Sequence, residues 1–303
     1  GEVTVSAAEL TFTNGNWNSA QTVTLTGVDD NLVDGSVNTL VTMAVKDASS
    51  DDNFDGVSDQ TVTVTTTDND TAGFTLSSTT ATVTEAAGGG NTATYTVVLN
   101  AQPDSDVVIS VTSADTGEVT VSAAELTFTN GNWNNAQTVT LTGVDDNVID
   151  VDTQTTVTMA VVDASSDDNF DSVANQTVTV TTTDNDTAAF TLGAISGTVT
   201  EGGSTATFTV VLGAQPDSDV VISVASGDTG EATVSPSSLT FTNANWNNAQ
   251  TVTVTGVDDN IIDGNINTTI TMAVVDASSD DNFDDVANQT VTATTVDDDT
   301  AGF

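Results

Sequence analysis

Along most of the chain, apolar and polar residues alternate with a period of two. QTVTLTG from Gln137, TTVTMAVV from Thr155 and QTVTVTTTD from Gln176 are examples. Successive side chains of a strand point to opposite faces. Alternation of β-branched residues, punctuated by Asn, Asp and Gly, therefore predicts half-buried antiparallel strands. No segment carries a convincing helical period. Between residues 71 and 186 the pattern predicts seven main strands, at 73–84, 92–99, 106–112, 124–129, 137–143, 154–163 and 176–183, with a short extra strand at 118–122. Turns at this spacing imply an all-β fold, a Greek-key (immunoglobulin-like) β-sandwich.

The pattern repeats. GEVTVSAAELTFTNGNWN at Gly1 returns at Gly117 and, slightly altered, as GEATVSPSSLTFTNANWN at Gly230. Trp17, Trp133 and Trp246 mark the register. The difference in period lies in one Gly-rich turn: AAGGGN separates Glu85 from Thr92, whereas GGS separates Glu201 from Thr205. An indel confined to a turn is expected of tandem copies of one folded unit. The expected organisation is the second half of a repeat at 1–70, complete repeats at 71–186 and 187–299, and the start of another at 300–303. Each complete repeat is long enough to bury its own core.

Charge narrows the function. The net charge is −43, from 44 acidic residues against one basic residue, Lys46. Such a chain cannot neutralise phosphates, so neither nucleic acid nor an anionic membrane is an expected partner. No segment is apolar for long enough to insert into a membrane. Self-repulsion on this scale calls for screening by salt or for bound cations. The absence of Cys and His removes disulfides, zinc sites of Cys/His type and nucleophile–base pairs.

In the predicted sandwich the acids gather at one end. Glu85 follows the first strand and Asp115 lies between the third and fourth. Asp145, Asp146 and Asp150 fall between the fifth and sixth, and Asp184 and Asp186 leave the seventh. Turn chemistry accounts for any one of these loops, but not for acids in four segments at one pole. Oxygen ligands from several loops suit Ca²⁺, which takes six to eight, better than Mg²⁺.

VTEGGSTATFTVVL from Val199, VDDNIIDG from Val257 and the closing Val296-Asp297-Asp298-Asp299 resemble the Calx-β domain, a calcium-binding sandwich found in sodium–calcium exchangers and in repeats of large bacterial surface proteins. The resemblance covers both complete repeats and the half repeat. It implies Ca²⁺ ligands at Glu201, Asp258, Asp259, Asp263, Asp297, Asp298 and Asp299, with Asp228 the counterpart of Asp115. Glu85, Asp145, Asp146, Asp150, Asp184 and Asp186 would serve the preceding repeat, and Asp29, Asp30, Asp34, Asp68 and Asp70 the half repeat. Asp stands at Asp34, Asp150 and Asp263 where the family usually has Glu. Asn69 and Asn185 replace the middle exit carboxylate. A shorter arm and a lost charge should lower the number of ions or their affinity.

A second acidic loop, Asp51-Asp52-Asn53-Phe54-Asp55-Gly56, begins like an EF-hand but lacks the closing Glu, since Val62 occupies that place. With Asp104 and Asp106 it either faces the acidic pole of the preceding repeat or forms an acidic hairpin loop with Asx-turns. Trp133 and Phe128 in FTNGNWNNAQ are expected to cap the core rather than stack on sugars.

The functional expectation is a structural extracellular or cell-surface protein, a stalk or filament subunit stiffened by Ca²⁺ between repeats. Its partners would be neighbouring repeats, other copies in a filament, or a surface ligand bound by an adhesin. A calcium-sensing module and a salt-adapted acidic spacer are the alternatives, and no enzymatic role is expected.

Overall fold

The computed structural model describes residues 1–86 and 90–302. Residues 87–89 of the Gly-rich turn, where the two full repeats differ in length, lie outside the described residues, as does Phe303. The strands are those of an all-β protein, and the helical pieces are three-residue 3₁₀ turns. Among the described residues no helix is long and apolar enough to cross a membrane. Two compact units emerge: Gly1–Ala81 with Ala93–Thr142 and Thr155–Val180, and Thr82–Thr92 with Gly143–Gln154 and Thr181–Phe303.

The second unit contains a complete sandwich. One sheet has the order Phe190–Leu192, Thr205–Leu212, Gln250–Gly256, Ala232–Ser235. The other has the order Val199–Thr200, Gln289–Val296, Ile266–Val274, Val220–Ser226, Ser238–Phe241. Pairing is antiparallel except where Val199–Thr200 runs parallel to Gln289–Val296. The alternation now has its consequence: Phe208, Val210, Val252 and Val254 from one sheet pack with Val220, Ile222, Ile270 and Met272 from the other. The intervening threonines stay on the outer faces. Trp246 packs against the edge of this core, and its carbonyl accepts the Leu212 N–H (3.2 Å).

Strands at 74–183, which lie mainly in the first unit, have the same order of four and five. The segment read as one strand at 73–84 is two strands, Phe74–Leu76 and Thr80–Thr84, which belong to different sheets. Ser77 and Ser78 sit at the change of sheet, where Ser78 Oγ accepts the Thr80 N–H. A three-residue polar break, Ser77-Ser78-Thr79, lets Phe74 and Val83 both reach buried positions. The extra strand is present as Val119–Val121.

Residues 3–66 form two two-stranded sheets, Val3–Val5 with Leu25–Gly27 and Val37–Met43 with Gln60–Thr66. Here Phe12 is 53% exposed and Phe54 58% exposed, whereas their counterparts Phe128 and Phe170 are fully buried. Each of these sheets has two strands, where the corresponding sheets of the last repeat have four and five, so less apolar surface is covered.

Candidate metal centre

In the last repeat the acidic pole is built by sheet register. Parallel pairing places Thr200 beside Val296, so Glu201 and Asp297 leave adjacent strands together. The Glu201 N–H donates to the Val296 carbonyl (3.2 Å). Ala232 pairs with Gly256, and the Val257 N–H donates to the Glu231 carbonyl (2.9 Å), which sets Glu231 beside the loop carrying Asp258, Asp259 and Asp263. Gly256 allows the close approach: a Cβ there would lie 2.1 Å from the Thr200 carbonyl oxygen.

Two oxygen clusters result. Glu201, Asp259 and Asp299 each bring a carboxylate oxygen within 4.8 Å of the others, and so do Glu231, Asp259 and Asp263. Asp259 belongs to both. Glu201 is 2% exposed and Glu231 9%. One carboxylate oxygen of each, and Oδ2 of Asp299, is buried without a hydrogen-bond partner. Burial pushes the Glu201 carboxyl up from its ordinary pKa, helped by the charges of Asp297 and Asp259. Burial does the same to Glu231, with Asp263 and Asp228 adding to it, and to Asp299, with Asp297 and Asp298 adding to it.

The remaining acids of this pole shape its backbone. Asp297 accepts from the Asp299 N–H (2.8 Å) and from the Gly264 N–H (2.8 Å). Asp259 Oδ1 accepts the Ile261 N–H (2.6 Å), and Asp228 Oδ1 the Gly230 N–H (2.9 Å). These are Asx turns. Asp258 and Asp298 belong to neither cluster.

In the preceding repeat, Glu85, Asp184 and Asp186 form a cluster of the same kind, again within 4.8 Å. Asp184 holds the turn by accepting the Asp186 N–H (2.7 Å) and the Val151 N–H (3.3 Å). Burial raises the Asp186 pKa, with Asp184, Asp146, Asp145 and Asp150 contributing. Asp145 accepts from the Asn185 side-chain amide (3.1 Å), so the amide that replaced a carboxylate caps one instead. Asp146 and Asp115 serve as Asx-turn acceptors for Val148 and Gly117.

In the half repeat, Asp30, Asp34, Asp68 and Asp70 line one shallow cleft with Glu2. Burial raises the Asp70 pKa, with Asp68 and Asp29 adding to it. N–H groups of Asp70 and Gly35 lower that of Asp68. Among the described residues no three-acid cluster forms there.

Glu231, and its sequence counterpart Glu118, were not singled out by the sequence. The available signal was the Gly-Glu pair that opens each copy, at Glu2, Glu118 and Glu231, three residues after the loop acid in the full repeats. Its place next to a strand disguised it as an ordinary polar strand residue.

The DNF loop has a different role. Asp167 is 4% exposed; its Oδ1 accepts the Asn169 N–H (2.9 Å) and its Oδ2 accepts those of Asp104 (2.6 Å) and Ser105 (3.0 Å). Burial opposes its charge, but the N–H groups of Ser105, Asn169 and Asp104 outweigh that and hold the pKa below the usual value. This carboxylate is a cap that ties two loops together, with its oxygens turned to backbone.

No protein-family model and no curated protein matches the chain. Among solved structures it is similar to the apo-form Calx CBD1 domain, at 15% identity over 39% of this chain and 100% of that one, with a TM-score of 0.30. It is similar to the calcium binding domain CBD12 of CALX1.1, at 12% identity over 66% and 79%, with a TM-score of 0.29. It is also similar to domains 4–9 of the surface layer protein SbsC, at 18% identity over 92% of this chain and 43% of that one, with a TM-score of 0.29.

Proposed function

We propose that the chain is a structural segment of an extracellular or cell-surface protein, a stalk or filament subunit, whose acidic poles bind Ca²⁺. The observation that carries this reading is the set of buried carboxylate oxygens on Glu201, Glu231 and Asp299 that have no hydrogen-bond donor. A buried carboxylate oxygen without a donor is costly unless the group takes up a proton or a cation. The donors are all oxygen, and the chain has no His or Cys, so the pole suits a hard cation of high coordination number. Glu201, Asp259 and Asp299 would hold one ion, and Glu231, Asp259 and Asp263 a second. Glu85, Asp184 and Asp186 would act likewise one repeat earlier. The cation supplies positive charge where like charges otherwise repel, and no catalytic role is assigned to these acids.

The test is thermal unfolding of the full chain with excess Ca²⁺, with Mg²⁺ and with chelator, all at high monovalent salt. At a hundred times Kd, one site adds about 2.7 kcal/mol, a rise of about 10–20 °C for a domain of this size. A Ca²⁺-specific rise is expected. Equal midpoints in all three conditions would leave an acidic spacer that salt alone stabilises.

A further inference from the structure

Between the paired acids and the later acid of each acidic loop sits a tripeptide of Asn and two aliphatic residues: Asn31-Leu32-Val33, Asn147-Val148-Ile149 and Asn260-Ile261-Ile262. The first two make the same contacts. The Gln102 N–H donates to the Asn31 carbonyl (2.7 Å), and the Asn169 side-chain amide donates to the Val33 carbonyl (2.8 Å). One repeat later, the Gln215 N–H donates to the Asn147 carbonyl (2.7 Å), and the Asn282 amide to the Ile149 carbonyl (3.3 Å). Isolated parallel bridges join Leu32 to Gln102 and Val148 to Gln215. Ile149 packs against the core that contains Phe190, Phe208 and Phe283. At the third copy the aliphatic pair is bare, with Ile261 60% and Ile262 58% exposed, whereas Leu32, Val33, Val148 and Ile149 are half-buried.

We propose that this tripeptide is a plug that seats in the following repeat, between its Gln backbone and its DNF-turn asparagine, and that this seat holds one repeat to the next. The plug is pre-shaped. Asp30, Asp146 and Asp259 each accept the N–H of the residue two positions on, at 2.9, 2.7 and 2.6 Å, which fixes the turn before anything docks. The receiving side is pre-shaped too. Asp167 and Asp280 cap the DNF turns, accepting from Asn169 N (2.9 Å) and Asn282 N (3.0 Å), and so aim the asparagine amides. Two carbonyls, one bridge and one aliphatic anchor specify a repeat of this sequence rather than a generic apolar surface. The contacts to the following repeat use backbone carbonyls, the Gln N–H and the Asn amide, and none of the proposed calcium ligands.

The chain has no cysteine, so two introduced cysteines at exposed Asp152 and Thr251 label uniquely for electron–electron distance measurement on the full chain. The measurement is made in chelator and again in Ca²⁺, so that absence of a metal effect is read separately. In both, Ile149→Asp and, independently, Asn282→Ala should widen the distance distribution about twofold, as expected when a small interface is lost. Ile262→Asp, the same change at the bare plug, should leave it unaltered. Circular dichroism confirms that each variant keeps its strands. A distribution as narrow as wild type in both Ile149→Asp and Asn282→Ala overturns the proposal, and so does equal widening in Ile262→Asp.

Discussion

Replacing Asp167 by Ala should destabilise its repeat by about 3 kcal/mol. Three N–H groups lose a charged acceptor, at 2.9 Å from Asn169, 2.6 Å from Asp104 and 3.0 Å from Ser105. Hydrogen bonds to a charged group contribute about 1.5–3 kcal/mol each. All three donors lie in exposed residues and regain water once the carboxylate is gone, so the loss falls to about 1 kcal/mol each, the net value of an ordinary hydrogen bond. The first repeat supplies the control. There the equivalent Asp51 is exposed and accepts only from Asn53, through its N–H (3.0 Å) and its side-chain amide (2.7 Å). Asp51→Ala should therefore be near neutral, as surface substitutions usually are. A chain of repeats need not unfold in one step, so hydrogen exchange resolved by peptide is the suitable assay. Amides in Val107–Ser113 should exchange about a hundredfold faster in Asp167→Ala. Wild-type exchange in that strand, or an equal effect from Asp51→Ala, would refute the capping argument.

Gly256→Ala places a Cβ 2.1 Å from the Thr200 carbonyl oxygen, beside Glu201. It should lower the urea midpoint by the equivalent of about 3 kcal/mol, at the top of the usual overpacking range. Gly27→Ala meets nothing nearer than a Thr66 methyl at 3.5 Å and should be near neutral in the same titration. Val151 has φ +61°, where the other two copies have Gly35 at +73° and Gly264 at +75°. A β-branched residue is strained in this region, so Val151→Gly should raise the melting midpoint by the equivalent of about 1 kcal/mol, whereas Gly264→Val should lower it. In chelator, the raised carboxyls of Glu201, Glu231 and Asp299 bind protons more tightly folded than unfolded. Their contribution is present below the ordinary carboxylate pKa and is lost as pH rises through the folded value. Glu201→Gln should thus stabilise the metal-free chain more at pH 7 than at pH 4, and the two-pH comparison of melts reads this directly.

The alternation of Thr with Val, Ile and Leu was enough to place nearly every strand, because a period of two survives only where one face of a sheet is buried. It did not reveal that 73–84 breaks at Ser77-Ser78-Thr79, since both pieces keep the same alternation and differ only in which sheet they join. The gathering of acids at one pole could be anticipated from strand count alone. Which acids meet could not. Asp115 and Asp228 looked equivalent to the others, yet they turn to their own backbone, whereas Glu118 and Glu231 passed as strand residues and are buried. The DNF loop begins like a cation loop in sequence, yet Asp167 is spent on N–H groups of a loop over 60 residues away.

What the sequence determined by itself is therefore local and repetitive: strand periodicity, turn residues, the repeat, and a strongly negative charge. These follow from the chemistry of residues a few positions apart. The tertiary structure decided which carboxylate oxygens lose their donors, which are capped, and which aliphatic tips are covered. Each depends on pairing between segments distant in the chain, as where Thr200 beside Val296 brings Glu201 next to Asp297.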